Sequence, residues 1–295
     1  MPELIALHKI AAHGLPAADG ERAFCQRMAR VAVRSLYAEL VLYPKPGLVS
    51  RVDNGSHTDM TAATFMRSMF ALRRFFTDIT RAGMRDAPFH ALKRLGIDAE
   101  ARMLRATAGI NTHRGAIFCL GMLCAAIGSC RARGAALTAA AVQAMLLQRW
   151  GHELGAHSVA PDTHSNGVRA RQAYAASGAR EEGARGFPSV FAVGLPALRR
   201  TVAAGRGMRA ARIDALFALM AHISDTNVYH RGGPDGALAV RRQARAFVAC
   251  GGTANRDWEA RALACHRAFV AARLSPGGAA DLLGAACLLQ AVTVD

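Results

Sequence analysis

The sequence predicts an all-α fold in a single domain that spans residues 1–295. Apolar residues recur with helical periodicity along the chain, and no segment shows the alternating, β-branched pattern of strands bounded by turns. Apolar residues make up 52% of the chain and there are only 10 prolines, so one large core can be buried. No internal repeat, low-complexity tract or interdomain linker divides the sequence.

The first two helices are placed by periodicity and by their end residues. Residues 21–42 form the first helix. The second covers residues 60–82, with Thr58 or Asp59 as its N-cap and Gly83 as its stop. Short polar side chains satisfy the free N–H groups at a helix start, and glycine commonly ends a helix.

The next two helices include the most apolar part of the chain. Asp98 opens a short third helix, and Asn111 or Thr112 caps the fourth. The uncharged run of the fourth helix, Gly115 to Cys130, is interrupted by glycines and is shorter than the ~20 apolar residues that span a membrane. We therefore expect a buried core helix and no membrane segment.

Six further helices complete the predicted fold. One of them is interrupted near Pro196, and their approximate bounds are 139–154, 189–204, 209–223, 235–249, 256–273 and 278–293. Three polar loops that contain Gly or Pro lie between helices, at 43–59, 155–188 and 224–236. We expect the catalytic residues on these loops.

Composition narrows the class of protein. The first twenty residues carry Glu3 and lack the apolar stretch and cleavage site of a secretory signal, so we expect a cytoplasmic protein. Seven cysteines without close Cys-x-x-Cys pairs favour reduced thiols. The net charge of +16 is compatible with nucleic acid, an anionic membrane or a phosphorylated small molecule, and charge alone does not choose among them. The arginines are scattered and few aromatic residues lie among them, so we expect no nucleic-acid partner.

Polar residues are concentrated between Tyr43 and Met60. Two prolines flank Lys45 and stiffen its backbone, which presents the ammonium to an anion from a rigid loop. Asn54 begins a turn, after which His57 and Asp59 arrive where a helix starts and where backbone N–H groups favour phosphate. The alternative is a solvated turn with an aspartate N-cap.

Four polar residues crowd the start of the core helix. Asn111, Thr112, His113 and Arg114 place hydrogen-bonding groups at the positive end of the helix dipole. Capping accounts for Asn111 or Thr112, since a buried helix start needs such partners. It does not account for His113 and Arg114 together, which favours a ligand there.

Two later segments carry further candidates. Asp225 lies three residues after His222 and either binds a metal, polarises a base, or belongs to a helix C-terminal turn. Gly277 and Gly278 lie in a loop that enters a helix, where their amides would face phosphate or substrate. Asp281 sits in an apolar helix, either buried with a partner or on the surface of the first turn.

Five segments between about residue 40 and residue 285 form a series. They are PKPGLVSRVDNGSHTDM, AEARMLRATAGINTHRGAIF, GAREEGARGFP, DTNVYHRGG and LSPGGAADLL. In this order they resemble the motifs of triphosphoribosyl-dephospho-CoA synthases. The third segment departs from the usual pattern, because Arg180 and Glu182 align whereas Glu181 and Gly183 do not. The first segment is more similar to the malonate decarboxylase branch than to the citrate lyase branch.

The resemblance implies an all-helical enzyme that joins the ribose C1 of ATP to the 2′-hydroxyl of 3′-dephospho-CoA and expels adenine. The triphosphate is retained, and Mg²⁺ is the expected cofactor. Such a displacement needs cations that bind the triphosphate and a base for the attacking hydroxyl. It also needs protonation of the departing adenine and stabilisation of an oxocarbenium-like centre. A separate transferase would pass the product to an acyl-carrier protein subunit, that of malonate decarboxylase or, alternatively, of citrate lyase.

The resemblance also implies roles for individual residues. The catalytic group is His57, His113, Asp59 and Asp225, with one of the histidines as base. Mg²⁺ or the adenine is held by Asp53, Asp59 or Asp225. The residues implied to bind ATP and dephospho-CoA are polar or glycine and come from the same motifs: Lys45, Arg51, Asn54, Asn111, Thr112, Arg114, Asn227, Arg231, Gly277 and Gly278.

Two other classes of protein fit part of the sequence. A helical nucleic-acid-binding protein would use the charge of +16 and bind DNA or RNA in a salt-sensitive way, without turnover. A metal-dependent hydrolase of ADP-ribose-like bonds would use similar helices and carboxylates and would pass the sugar to water. The acceptor of the sugar distinguishes the hydrolase from the transferase.

Overall fold

The computed structural model describes residues 20–159 and 178–294. Within these ranges it contains eleven α-helices and no strand, which confirms the all-α prediction. Their bounds are α1 Glu21–Leu40, α2 Ala62–Met84, α3 Phe89–Ala106, α4 Arg114–Ala132, α5 Ala139–Val159, α6 Ala179–Ala184, α7 Leu195–Ala203, α8 Gly207–His222, α9 Thr226–Ala249, α10 Trp258–Ala271 and α11 Gly277–Val292. A π-helix, Ser189–Gly194, precedes α7, and a short 3₁₀ helix, Gly252–Ala254, follows α9.

The core is one apolar cluster to which the α-helices other than the short α6 contribute buried residues. Helix α4 lies in it and packs against α2, α5 and α11. By length and composition α4 is apolar enough to cross a membrane, but 78% of its apolar window is buried inside the fold. The structure thus confirms the predicted core helix. Cys119 and Cys124 of α4 and Cys287 of α11 are buried, and the seven cysteines are free thiols.

Helix α2 begins at a different cap from the predicted one. Thr61, and neither Thr58 nor Asp59, is its N-cap. The Thr61 hydroxyl accepts from the backbone N–H of Thr64 at 3.4 Å, and the Thr64 hydroxyl accepts from the backbone N–H of Thr61 at 3.2 Å. This reciprocal pair satisfies two free donors at once, which explains why the helix starts later than expected.

Helix α3 is longer than predicted, because it begins at Phe89 rather than near Asp98. Pro88 stands at its N-cap, where the missing backbone N–H of proline costs nothing. Helix α5 runs on to Val159, and α6 forms part of the second predicted loop. Residues 160–177 of that loop lie outside the described residues.

The predicted loop over residues 224–236 is largely helical. Helix α9 starts at Thr226 and continues through a kink at Gly233, whose φ of 59° and ψ of −160° are open to glycine but not to other residues. Pro234 follows the kink and lacks the backbone N–H that would continue the hydrogen bonds of the helix. Because α9 begins at Thr226, Asp225 is its N-cap, and the alternative of a C-terminal turn of α8 is wrong.

Helices α2 and α4 approach closely because both carry glycines at their contact. Gly83, the predicted stop, lies inside α2, where an added Cβ would be 2.0 Å from the carbonyl oxygen of Ala125. Gly128 of α4 is in the same position, 2.3 Å from the carbonyl oxygen of Thr80. Real Cβ atoms do not come this near to backbone, so these glycines set the distance between the two helices.

We expect Gly83→Ala to lower the free energy of unfolding by about 1–3 kcal/mol, because the new methyl group must push two core backbones apart. The matched control is Gly96→Ala in α3, where an added Cβ meets nothing within 4 Å. This control should gain up to ~1 kcal/mol from helix propensity. Urea unfolding of both variants measures the difference. Equal stability of the two would contradict the close approach.

Candidate active site

The N-termini of three helices converge on two carboxyl groups. The Oδ1 atom of Asp225 accepts from the backbone N–H of Asn227 in α9 at 2.9 Å. Its Oδ2 atom accepts from the backbone N–H of Ala279 in α11 at 3.0 Å. Asp281, the fifth residue of α11, accepts from the backbone of Ala116 in α4. The two aspartates thereby link helix starts that are far apart in the chain.

Glycines make room for these carboxyl groups. An added Cβ at Gly115 would lie 2.1 Å from Oδ2 of Asp281, and one at Gly278 would lie 3.0 Å from Oδ2 of Asp225. One at Gly277 would lie 2.9 Å from the side-chain amide of Asn227. Carboxyl and amide groups can approach the backbone here only because these positions carry no side chain.

An open hollow of about 420 Å³ lies beside the three helix starts. Its apolar walls include Ile223 and Leu282. Its polar lining includes the carboxyl groups of Asp225, Asp281 and Glu182. Both oxygens of Glu182 already accept from Ser189, the hydroxyl at 2.7 Å and the backbone N–H at 3.2 Å. The hollow is open to solvent, and its lining has the mixed polarity of small-molecule sites.

Burial favours the protonated form of two of these acids. It raises the pKa of Asp225, although hydrogen bonds from backbone N–H groups act in the opposite direction. Burial also raises the pKa of Asp281 well above its usual value, and the nearby negative charges of Glu39 and Asp225 add to the increase. Among the described residues no basic side chain forms an ion pair with either aspartate.

His57 connects three of the motifs. Its Nδ1 lies 2.9 Å from Nη2 of Arg231, and its Nε2 lies 2.9 Å from the Ser275 hydroxyl. Because a guanidinium can only donate, Nδ1 accepts and the proton is assigned to Nε2, which donates to Ser275. Burial, with the charge of Arg231, lowers the pKa of His57 to about 4. Asp59, 3.6 Å from Nδ1, opposes that shift.

His113 is buried, with one ring nitrogen engaged and the other without a partner. Its Nδ1 lies 2.6 Å from the hydroxyl of Ser68, and the edge of its ring packs against Phe65. No residue in the described part of the chain forms a hydrogen bond with its Nε2. Burial, together with the positive charge of Lys45, lowers the pKa of His113 to about 3. The ring is therefore neutral near pH 7.

Lys45 does not reach the surface. Its side chain is 1% exposed, and its Nζ lies 2.5 Å from Oε1 of Glu39 on α1. Burial lowers the pKa of Lys45, while Glu39 acts to raise it. The prediction that the loop presents this ammonium to an anion is wrong, because the side chain turns inward to neutralise a buried carboxylate.

Residues 25–295 match the model of the CitG family, described as ATP:dephospho-CoA triphosphoribosyl transferase. The chain belongs to this family. The match covers all five segments of the series and confirms that the protein is an enzyme of the triphosphoribosyl-dephospho-CoA synthase type.

Several relatives of this family are similar over most of their length. A protein of Acinetobacter calcoaceticus, named "Probable 2-(5''-triphosphoribosyl)-3'-dephosphocoenzyme-A synthase", is 40% identical over 258 residues, 88% of each chain. A protein of the same name from Pseudomonas fluorescens (strain Pf0-1) is 40% identical over 278 residues, 92% of this chain and 93% of its own. Another from Pseudomonas aeruginosa (strain UCBPP-PA14) is 41% identical over 88% of each chain. No solved structure matches the chain.

The predicted metal ligands do not form one site in this transferase. Among residues 20–159 and 178–294, no three acidic, His or Cys side chains are placed to hold a metal ion. Asp53 accepts from the backbone of Gly55 at 2.9 Å and faces His266 at 3.3 Å. Asp59 is exposed beside His57, and both oxygens of Asp225 are already occupied by backbone donors. The three aspartates therefore do not fit a shared Mg²⁺ site.

Four of the other predicted binding residues lie at the surface and are not part of the lining of the hollow. Arg51, Asn54, Asn227 and Arg231 are exposed. Arg231 also donates to the backbone carbonyl of Ser56 at 3.0 Å, which anchors α9 to the loop that carries His57. These side chains are available to ligands, with Arg231 already held in place by protein contacts.

The start of α4 is arranged differently from the prediction. Asn111 accepts from the backbone N–H of Arg114 at 3.1 Å and so provides the cap, although the N-cap position belongs to His113. The Thr112 hydroxyl is buried and has no hydrogen-bond partner among residues 20–159 and 178–294. Arg114 is exposed and pairs with Glu100.

The start of α11 also differs from the prediction. The backbone amides of Gly278 and Ala279 are engaged by Asp225, so they do not face a phosphate as expected.

Sequence reasoning missed several residues that support the site. Glu39, Ser68 and His266 are buried polar residues on helices, and each contacts a predicted site residue or its backbone. A signal existed for Glu39, since it follows Leu36 by three residues on the buried face of α1. A charged residue on a core face requires a buried partner, and here that partner is Lys45.

We expect both site histidines to remain neutral well below pH 6. In imidazole ¹⁵N NMR spectra, His57 should titrate near pH 4 and His113 near pH 3. In denaturant both should return to about 6.5. A folded-state midpoint near 6.5 for either ring would contradict its burial and contacts.

These pKa shifts make the free energy of unfolding depend on pH. Each histidine contributes stability that is complete above pH 6.5 and is lost as the pH falls toward its folded-state pKa, because the unfolded ring protonates first. Asp225 and Asp281 act in the opposite direction. Their raised pKa values mean that stability is lost as the pH rises above about 3.9, where the unfolded carboxyl groups ionise.

Proposed function

We propose that this enzyme transfers the triphosphoribosyl group of ATP to the 2′-hydroxyl of 3′-dephospho-CoA and releases adenine. The ribose C1 of ATP exchanges its bond to adenine N9 for a bond to the attacking oxygen, and the triphosphate stays on the transferred ribose. Membership of the triphosphoribosyl transferase family supports this reaction.

One observation in the structure carries the proposal. The five motifs are spread over more than two hundred residues, yet they meet around the N-termini of α4, α9 and α11. His57 contacts Ser275 and Arg231, and Asp281 contacts the start of α4. The third motif contributes Glu182 to the same hollow. Such convergence is expected if the motifs form one substrate site.

The geometry favours His113 over His57 as the base. Both ring nitrogens of His57 are engaged by Arg231 and Ser275, so His57 orients these residues and has no free lone pair. His113 has an unpartnered Nε2, and its Nδ1 is held by Ser68. A neutral imidazole fixed through one nitrogen has a lone pair at the other for the attacking hydroxyl, although a pKa of about 3 makes this imidazole a weak base.

Three exposed arginines would bind the phosphates. Arg51 and Arg231 are exposed, and Arg114 would exchange Glu100 for a phosphate group. Asn54, Asn111 and Asn227 are exposed amides that would orient the ribose and phosphate oxygens. The described side chains do not provide a three-ligand metal site, so we propose that Mg²⁺ arrives bound to the triphosphate of ATP.

The pathway of the product is also part of this proposal. The wording of the first motif favours malonate decarboxylase over citrate lyase as the destination of the prosthetic group. The enzyme would act in the cytoplasm, and a separate transferase would attach the product to the acyl-carrier subunit. Providing the product, with that transferase, to each of the two carrier proteins would separate the branches.

The reaction is tested by incubating the full chain with ATP, Mg²⁺ and 3′-dephospho-CoA and analysing the mixture by mass spectrometry. Free adenine and triphosphoribosyl-dephospho-CoA should appear together, and only when both substrates are present. Adenine with ribose triphosphate and no conjugate would instead indicate the hydrolase. Absence of adenine together with salt-sensitive retention of DNA or RNA would favour the nucleic-acid-binding alternative.

We expect His113→Ala to lower kcat by at least ~10²-fold, since the attacking hydroxyl loses its base. The control is Ser68→Ala, which keeps the imidazole and removes its orienting hydroxyl, and which should cost less. Steady-state assays of adenine release measure both. Turnover of His113→Ala within a few-fold of wild type would remove His113 from the catalytic residues.

A further inference from the structure

Asp281 is a half-buried acid that lines the hollow, and the roles above have no use for it. Its carboxyl group accepts from the backbone of Ala116, and no side chain among the described residues forms an ion pair with it. An aspartate so placed in an otherwise apolar helix is costly unless it has a function or a ligand. Gly115 is kept free of a side chain where Oδ2 of Asp281 lies.

The groups that face Asp281 are acidic or neutral. Glu39 of α1 and Asp225 at the start of α9 are close enough to disfavour a second negative charge. Glu182 of α6 lines the same hollow, and the Cys119 thiol donates to the backbone carbonyl of Asp281 at 3.6 Å. Because no cation among the described residues balances it, the pKa of Asp281 is raised and its protonated form is favoured.

A protonated carboxyl group presents one O–H donor and one acceptor oxygen side by side. The N7 atom and the N6 amino group of adenine present the complementary acceptor and donor. The hollow supplies the rest of a base site, with apolar walls at Ile223 and Leu282 and a side that is open to solvent. The geometry is therefore suited to a neutral, planar ligand with a paired acceptor and donor, and not to a phosphate.

We infer that the hollow binds the adenine of ATP and that Asp281 is the acid that protonates its N7 as adenine leaves. This inference rests on the proposed function and assigns the leaving-group site within it. Asp225 has a different role, because its two oxygens hold the helix starts that form the hollow.

The transfer exchanges one bond at the ribose C1 for another. The 2′-oxygen of dephospho-CoA forms its bond to the ribose C1 while the bond from C1 to N9 breaks, and N9 keeps the electron pair. The proton from Asp281 is then on N7, so adenine leaves as a neutral base and not as an anion. The proton of the 2′-hydroxyl passes to the base, and Asp281 recovers a proton from solvent after adenine departs.

The test compares ATP with 7-deaza-ATP, which has a carbon in place of N7, in wild type and in Asp281→Asn. Wild type should turn over ATP at least ~10²-fold faster than 7-deaza-ATP. Asp281→Asn should lose ~10²-fold or more with ATP and little with 7-deaza-ATP, so that the ratio falls toward one. A merely structural role would lower both rates and keep the ratio.

Asp214→Asn is the matched control. Asp214 is a largely buried carboxylate on α8 that accepts from Thr201, Arg206 and Thr253, and it does not line the hollow. Its variant should keep the wild-type ratio of the two substrates. Retention of that ratio in Asp281→Asn, or turnover of ATP within threefold of wild type, would overturn the assignment.

A second measurement uses wild type alone, in case Asp281→Asn fails to fold. The rate with ATP should fall at high pH as the acid ionises, and the rate with 7-deaza-ATP should lack this limb. Identical high-pH profiles for the two substrates would contradict an acid at N7. If wild type releases no adenine from ATP at all, the proposed function fails, whereas the outcomes above bear only on Asp281.

Discussion

Replacing Lys45 with methionine should lower the free energy of unfolding by about 3–5 kcal/mol, because it leaves the Glu39 carboxylate buried without its cation. The pair is almost fully enclosed, with Lys45 1% and Glu39 8% exposed, and the two side chains lie 2.5 Å apart. Water cannot replace the missing partner at such a site. Chemical denaturation at pH 7 measures the loss.

A double variant tests whether the loss comes from the unpaired charge. Glu39→Gln combined with Lys45→Met should recover most of the stability, since a neutral amide is much less costly to bury than a carboxylate. Arg85→Met is the control for an exposed ion pair with Glu21 and should change stability by no more than about 1 kcal/mol. A double variant as unstable as Lys45→Met would show that packing, and not charge, dominates.

Replacing Asp225 with alanine should reduce both stability and turnover. The change leaves two helix starts without the acceptor that caps them, at Asn227 and at Ala279. Each lost cap costs about 0.5–2 kcal/mol, so the total loss should be about 1–4 kcal/mol. Turnover should fall ~10²-fold or more, because α9 and α11 carry Arg231 and Asp281, and small misplacement of such groups slows reactions strongly.

The control for Asp225 is another aspartate at an N-cap. Asp257 precedes α10, is exposed and makes no cap hydrogen bond with its side chain. Asp257→Ala should therefore change stability by less than about 0.5 kcal/mol and leave turnover unchanged. Unfolding and adenine-release assays on both variants give the comparison. An Asp225→Ala enzyme as stable and active as Asp257→Ala would show that the shared carboxylate does not hold the two helices.

The candidate site was found from sequence because its motifs are locally unusual. Polar residues that crowd the start of an apolar helix, as at His113, are not explained by helix formation alone. The contacts between motifs were out of reach of that reasoning. His57 and Ser275 are 218 residues apart, and no local pattern states that the Arg231 guanidinium occupies one nitrogen of His57 and the Ser275 hydroxyl the other.

The helical class, the buried core helix α4 and the five motifs were determined by the sequence alone, because periodicity and composition report how each segment meets water and apolar surroundings. Tertiary structure decided which charges are paired and which lone pairs are free. In the folded chain Lys45 turns inward and pairs with Glu39, and Asp225 joins two helix starts. Both ring nitrogens of His57 are engaged, whereas the Nε2 of His113 has no partner among the described residues. These outcomes depend on desolvation and on partners distant in the chain, and both exist only once the helices have packed.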